Sequence, residues 1–164
     1  MKKINLFVIP FILLGLNACS QSAPQVDKTV DTKTYPQAKP ASYWKQVLTP
    51  EAYEILVNKG TEQPYHNPYW NNHEKGMYVS AATGKPLFSS DAKFESGTGW
   101  PSFWQPIAEQ NIATLEDASF GMRRVAVICR RCDAHLGHVF EDGPRPSGLR
   151  YCMNSAALKL DKAE

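Results

Sequence analysis

From Gly76 to Leu160 the chain is a succession of short β-prone runs broken by Gly- and Pro-rich turns. Arg123 to Cys129, reading RRVAVIC, is the strongest of them: β-branched residues suit a pleated, half-buried surface. Met77-Tyr78-Val79 and Pro86-Leu87-Phe88 flank Thr83-Gly84-Lys85, the pattern of a hairpin. Asn111 to Asp117 reads as a strand and turn, and His138-Val139-Phe140 and Leu149 to Leu160 supply further strands. Short strands joined by tight turns leave no room for helical crossovers, which excludes a βαβ architecture. The expectation is a mainly β fold, a small antiparallel β-sandwich-like domain. Helices are confined to its amino-terminal side. Ser42 to Leu48 can form a turn or two of helix, and Thr49-Pro50-Glu51 is a helix start, with cap, first-turn proline and acid in order. Ala52, Ile55 and Leu56 give that helix an apolar stripe, and Asn58-Lys59-Gly60 ends it.

The first residues are of another kind. Lys2 and Lys3 precede an apolar run, Asn5 to Gly15, and then Leu16-Asn17-Ala18-Cys19. This has the layout of a secretory signal and is too short for a bilayer span. The four residues resemble a bacterial lipobox, so residues 1–18 are expected to be a lipoprotein signal peptide, with Cys19 acylated after cleavage. Residues 19–41, polar and poor in anything to bury, read as a lipidated flexible tether to a domain at 42–162. Ser20 after the cysteine points to the outer membrane, on the periplasmic side of the envelope. The whole chain carries 18 basic and 16 acidic side chains; losing Lys2 and Lys3 with the leader equalises them. A neutral mature chain excludes nucleic acid as a partner, since that needs a concentrated basic surface. A monomer is expected.

The chemistry gathers in His135 to Asn154, reading HLGHVFEDGPRPSGLRYCMN. On a strand, Arg150, Cys152 and Asn154 share one face, while Tyr151 and Met153 turn towards a core. A guanidinium two residues from a thiol favours the thiolate, the reactive form. The turn at Gly143, Pro144, Pro146 and Gly148 can fold His135 and His138 back beside Cys152 as proton donors. A buried structural cysteine in a strand explains the same spacing, and on spacing alone the two are balanced. Asp142 fits either an imidazole partner or plain turn chemistry, with turn chemistry the better default. His66 and His73 lie in a polar stretch that reads as a solvated loop. In SGTGWPSF the glycines let backbone pass close to a neighbour, and Trp100, Phe103 and Trp104 offer an apolar wall or core filling.

SGTGWPSF (96–103), HLGHVF (135–140) and RYCMNSAAL (150–158), in that order and spacing, resemble the signature blocks of the B-type methionine sulfoxide reductases. The similarity runs from about Ser42 to Leu160. It implies the β-sandwich-like fold and reduction of the R epimer of methionine sulfoxide in proteins or peptides, with repair of oxidised envelope proteins as the role. It makes Cys152 the nucleophile, places His138 closest to the substrate oxygen with His135 in support, and sets Trp100 and Phe140 against the substrate. Arg150 and Asn154 complete the catalytic set.

Two departures follow from the same likeness. Many relatives bind structural zinc through two Cys-x-x-Cys pairs. Cys129 and Cys132 match the second, but Ser80 and Thr83 stand where the first is expected, so zinc is not expected and the pair is redox-active or vestigial. Thr98 replaces a cysteine that in many relatives resolves the sulfenic acid. Either Cys129 or Cys132 must then reach Cys152, or an external thiol reductant, thioredoxin-like or glutathione/glutaredoxin-like and here periplasmic, attacks directly; the second is preferred. No tightly bound cofactor is expected. Against this stand a cysteine hydrolase, suggested by Cys, His and Asn together, and a noncatalytic lipoprotein. A hydrolase needs an oxyanion hole and cleft that are not legible here.

Overall fold

A computed structural model describes residues 39–163. The expected signal peptide, the expected acylation site at Cys19 and nearly all of the expected tether lie outside the described residues.

Two short helices open the domain, α1 at Ala41–Val47 and α2 at Pro50–Leu56. The Thr49 hydroxyl accepts from the Ala52 amide at 3.2 Å, Pro50 occupies the first turn, and Glu51 complements the dipole there. The Gly60 amide returns to the Glu54 carbonyl and closes the far end. Trp44 from α1 and Ala52, Ile55 and Leu56 from α2 are the faces buried against the sheets.

Among the described residues nine strands follow: β1 Gly76–Ser80, β2 Pro86–Ser89, β3 Lys93–Phe94, β4 Ser102–Phe103, β5 Ile112–Asp117, β6 Arg124–Cys129, β7 His135–Phe140, β8 Arg150–Met153 and β9 Leu158–Lys162. They form two antiparallel sheets, one ordered β2-β1-β9 and the other β3-β4-β8-β7-β6-β5. The expected β class and the β1–β2 hairpin hold. The run Leu149 to Leu160 differs in one respect. Asn154–Ala157 breaks it, and β8 and β9 enter different sheets. The chain thus turns a corner directly after the candidate nucleophile.

Between the sheets lies the main core. Tyr78, Leu87 and Phe88 of the small sheet meet Phe103, Val127, Leu136 and Met153 of the large one, all fully buried. Phe88 stacks on Phe103 at 4.5 Å, and Tyr78 meets Phe103 edge-on at 5.0 Å. Each such side chain contributes roughly 1.5–3 kcal/mol, as an upper bound. Of the three aromatics in the glycine-rich block, Phe103 is the one in the core; Trp100 and Trp104 are half-buried. Strands β7 and β8 approach so closely at Gly137 that a Cβ there would stand 2.2 Å from the Cys152 carbonyl oxygen. Only glycine fits, which fixes the register of the pair that carries the site.

Candidate active site

Register puts Cys152 in a row. Ser102 on β4 lies opposite it on one side, His138 on β7 on the other, and Ala126 on β6 lies opposite His138. Directly paired residues share a sheet face, so hydroxyl, thiol and imidazole stand side by side. The next row on that face is Arg150, Phe140, Arg124 and Asp117. The small Ala126 leaves a gap through which Asp117 reaches diagonally, its Oδ2 2.7 Å from His138 Nε2. Arg124 Nη2 binds the same oxygen at 2.8 Å, and the Ser119 amide donates to Oδ1 at 2.9 Å. A register shift between Val127 and Ile128 brings His135 onto the side of His138, their rings edge-on at 5.2 Å.

The charges are held accordingly. Burial pushes the Asp117 carboxyl up, but hydrogen bonds from Ser119 and His138, with Arg124 nearby, hold it well below the usual carboxylate range. Burial lowers the His138 imidazole, opposed by the hydrogen bond and charge of Asp117. Burial and then repulsion from His138 carry His135 down to about 4, and its Nε2 has no hydrogen-bond partner among the described residues. His135 is therefore neutral near pH 7, whereas Asp117 gives His138 a way to accept a proton.

For Cys152 the sequence expectation needs correcting. Burial raises its thiol; Arg150 and the hydroxyls of Thr98 and Ser102 lower it without prevailing. Arg150 spends its fork on Asp142, at 2.9 and 2.8 Å, and its guanidinium lies 4.3 Å over the Phe140 ring. Asp142 thus partners the arginine and not an imidazole; the acid that holds an imidazole is Asp117. Asn154 also differs from expectation. Strand β8 ends at Met153, so the alternation stops, and the amide of Asn154 bonds backbone at both ends. Its Nδ2 donates to the Leu136 carbonyl at 3.1 Å and its Oδ1 accepts from the Glu62 amide at 3.2 Å.

Glu62, a lone acid in a polar stretch with no legible period, turns out to be a hub. Its carbonyl accepts from Trp100 Nε1 at 3.1 Å, and its buried carboxylate accepts from the Ser155 and Ala156 amides. One residue thereby ties the Trp100 loop to the segment after Cys152. Burial raises its carboxyl against those two amides. The loop at 62–70 is further tied to the glycine-rich block by the Tyr65 amide and Asn67 Nδ2, both donating to the Gly99 carbonyl. His66 and His73 are exposed, as a solvated loop requires.

The other thiols lie apart. Cys129 and Cys132 are buried, and the Cys132 and Asp133 amides both donate to the Cys129 carbonyl in a tight turn. A hydrogen bond from Cys132 lowers the Cys129 thiol and raises that of Cys132, so the pair ionises first at Cys129. The Thr83 hydroxyl is 3.9 Å from Cys129 Sγ, while the fully buried Ser80 hydroxyl has no hydrogen-bond partner among the described residues. Two thiols and two hydroxyls do not make the four strong ligands of a structural zinc site. No group of three or more His, Cys, Asp or Glu side chains is gathered for a metal among the described residues. Cys129 faces the main core with Val127, on the other side of the sheet from the Cys152 row. Three residues along and two strands across also separate them, about 14 Å. A disulfide needs Cα atoms within about 7 Å.

A partly exposed thiol with a carboxylate-held imidazole across the strand pair is the equipment of a thiol-dependent enzyme. Residues 48–162 match the SelR domain model. The chain is similar to the peptide methionine sulfoxide reductase MsrB of Methanosarcina mazei, 56% identical over 121 residues, 74% of this chain and 86% of that protein. It is likewise 56% identical to the MsrB of Leptospira interrogans over 73% of this chain and 91% of that protein. With the MsrB of Bradyrhizobium diazoefficiens it shares 51% identity over 134 residues, 82% and 94% of the two chains. The chain belongs to the MsrB family of thiol-dependent peptide methionine sulfoxide reductases.

Proposed function

We propose that this chain reduces methionine-R-sulfoxide in oxidised envelope proteins, as a monomer anchored by lipid at Cys19 to the periplasmic face of the outer membrane. Cys152 attacks the substrate sulfur, whose oxygen passes to the cysteine. The sulfur–oxygen bond of the substrate breaks, methionine leaves, and Cys152 becomes a sulfenic acid. His138 supplies the proton that the departing oxygen takes, and Asp117 keeps that imidazole able to hold one. Trp100 and Phe140 receive the methyl and the flank of the substrate side chain, an apolar and polarisable floor. Neutral His135 and the backbone-bonded Asn154 support this arrangement.

The observation that carries the reading is the row Ser102, Cys152, His138, with the Thr98 hydroxyl 3.9 Å from the sulfur. A hydroxyl occupies the place from which a neighbouring thiol would close a disulfide. The separation of Cys129 from Cys152 argues the same way. A thiol from outside, thioredoxin-like or of the glutathione/glutaredoxin type, then reduces the sulfenic acid.

Mass spectrometry after one equivalent of R-sulfoxide substrate without reductant tests this. The expected product is protein heavier by one oxygen at Cys152, with one methionine released. An intramolecular disulfide from Cys152 to Cys129 or Cys132 removes the external route, and no change at Cys152 removes the assignment. Acylation is read separately, from the mass of the amino-terminal peptide of membrane-fraction protein; an unmodified Cys19 there contradicts the anchor.

A further inference from the structure

A chain of three hydroxyls ends on the Cys152 sulfur. Thr98 Oγ1 lies 3.9 Å from Sγ, Ser96 Oγ lies 2.8 Å from Thr98 Oγ1, and Ser102 Oγ lies 2.8 Å from Ser96 Oγ. Beyond them the Trp100 carbonyl accepts from Ser102 Oγ at 3.3 Å. Ser102 is fully buried and directly opposite Cys152 in the sheet, so water does not compete for it. Each hydroxyl carries one proton and can turn it either way. The chain therefore has two consistent directions. With a neutral thiol, S–H donates to Thr98, Thr98 to Ser96, Ser96 to Ser102, and Ser102 to the Trp100 carbonyl. With a thiolate the three bonds between sulfur and hydroxyls reverse and the Trp100 carbonyl loses its donor: Ser102 donates to Ser96, Ser96 to Thr98, and Thr98 to the sulfur.

We propose that Thr98, Ser96 and Ser102 form a reversible donor chain that ionises Cys152, with Thr98 a catalytic residue at the sulfur and the two serines positioning it. The proposal rests on Cys152 being the nucleophile. Turning the hydroxyls moves no net proton. The thiol proton leaves on the opposite side, to His138, and returns on the oxygen that Cys152 takes from the sulfoxide. Protons, oxygen and electrons balance: thiol and sulfoxide become sulfenic acid and thioether, the cysteine sulfur oxidised and the methionine sulfur reduced. The need for such a chain is plain from the surroundings. Burial resists the thiolate, and Arg150, which lowers the thiol by its charge and a hydrogen bond, does not prevail over it while two of its nitrogens are held by Asp142. The charged and titratable groups around the sulfur are Arg150 on its own strand and His138 from β7, with His135, Asp117 and Arg124 behind it. Strand β4 and the loop before it offer it hydroxyls.

The test is the pH dependence of Cys152 alkylation by iodoacetamide in the full chain, read at that residue by peptide mass spectrometry. Ser96→Ala and Thr98→Val are each expected to raise the midpoint by about one pH unit, which is about tenfold lower reactivity at neutral pH. At high pH both should regain the wild-type rate, and Thr98→Ser should restore the wild-type midpoint. An unmoved midpoint overturns the proposal. So does a loss that is equal at every pH, because that reports a displaced loop and not a changed ionisation. Alkylation needs no sulfoxide, so it is independent of the functional assignment. A wild-type chain that alkylates as expected but leaves R-sulfoxide untouched defeats the assignment and spares the hydroxyl chain.

Discussion

Cys152 and the Cys129–Cys132 pair are carried by one six-stranded sheet, yet they have opposite company. Cys152 sits on the face with His138, Asp117 and a row of hydroxyls, and is partly exposed. Cys129 sits on the core face, donated to by Cys132 and by the Thr83 hydroxyl, and no group of three or more acids, imidazoles and thiols gathers there among the described residues. The lowered thiol is Cys129 and the raised one is Cys152. Ease of ionisation alone therefore misidentifies the nucleophile. What separates the two sites is access and a proton donor on the spot, because a sulfoxide oxygen cannot leave without a proton.

The largest effect that can break this comparison is Cys152→Ser. It should lower reduction of R-sulfoxide by at least roughly three orders of magnitude while leaving the circular dichroism unchanged. Retained turnover would hand the chemistry to the other pair. Next comes Asp117→Asn, which removes the charge that supports a proton on His138. Turnover near neutral pH should drop on the order of tenfold to a hundredfold, and the alkaline side of the pH–rate profile should move to lower pH, because His138 must hold a proton to supply it. A profile that keeps its shape would mean Asp117 only braces the β5–β6 hairpin.

The parts of this site differ in how legible they are in the sequence. The helix start at Thr49-Pro50-Glu51, the β1–β2 hairpin and the strand at Arg123–Cys129 follow from local capping and β-propensity, and they appear as expected. So does the facing of Cys152 and His138, because a Gly/Pro turn between two β runs implies a hairpin. Asp117 and Glu62 were not legible. Asp117 reaches His138 from two strands away, through a gap left by Ala126, and no local spacing encodes that. Glu62 acts mainly through its backbone and through the amides of residues 155 and 156. Asp142 misleads for the same reason: it stands next to HLGHVF in sequence, but the hairpin turns it towards Arg150.

A smaller effect concerns stability and sharpens the electrostatic side of the comparison. His135 titrates near 6.5 unfolded and at about 4 folded, so burial favours its neutral form. The unfolded chain binds the extra proton between those values. Stability is thus fully present above about pH 6.5 and is lost as pH falls towards 4, by as much as about 3 kcal/mol. His138 adds in the same direction. Urea unfolding of the wild type at pH 7 and pH 4.5 should show this loss, and His135→Gln should reduce it. Equal losses in the two proteins would mean that His135 is not held neutral by the fold.

The smallest effect on chemistry is expected from Cys129→Ser and Cys132→Ser. Each places a hydroxyl where a buried sulfur was, at a cost of about 1–3 kcal/mol in unfolding free energy. Neither side chain lies on the face of the Cys152 row, so the first release of methionine, read by rapid quench without reductant, should keep its wild-type rate and amplitude of one per chain. A lost first-turnover burst in a variant that is still folded would mean that the core-facing thiols shape the catalytic row after all, and the division between the two faces of the sheet would fall.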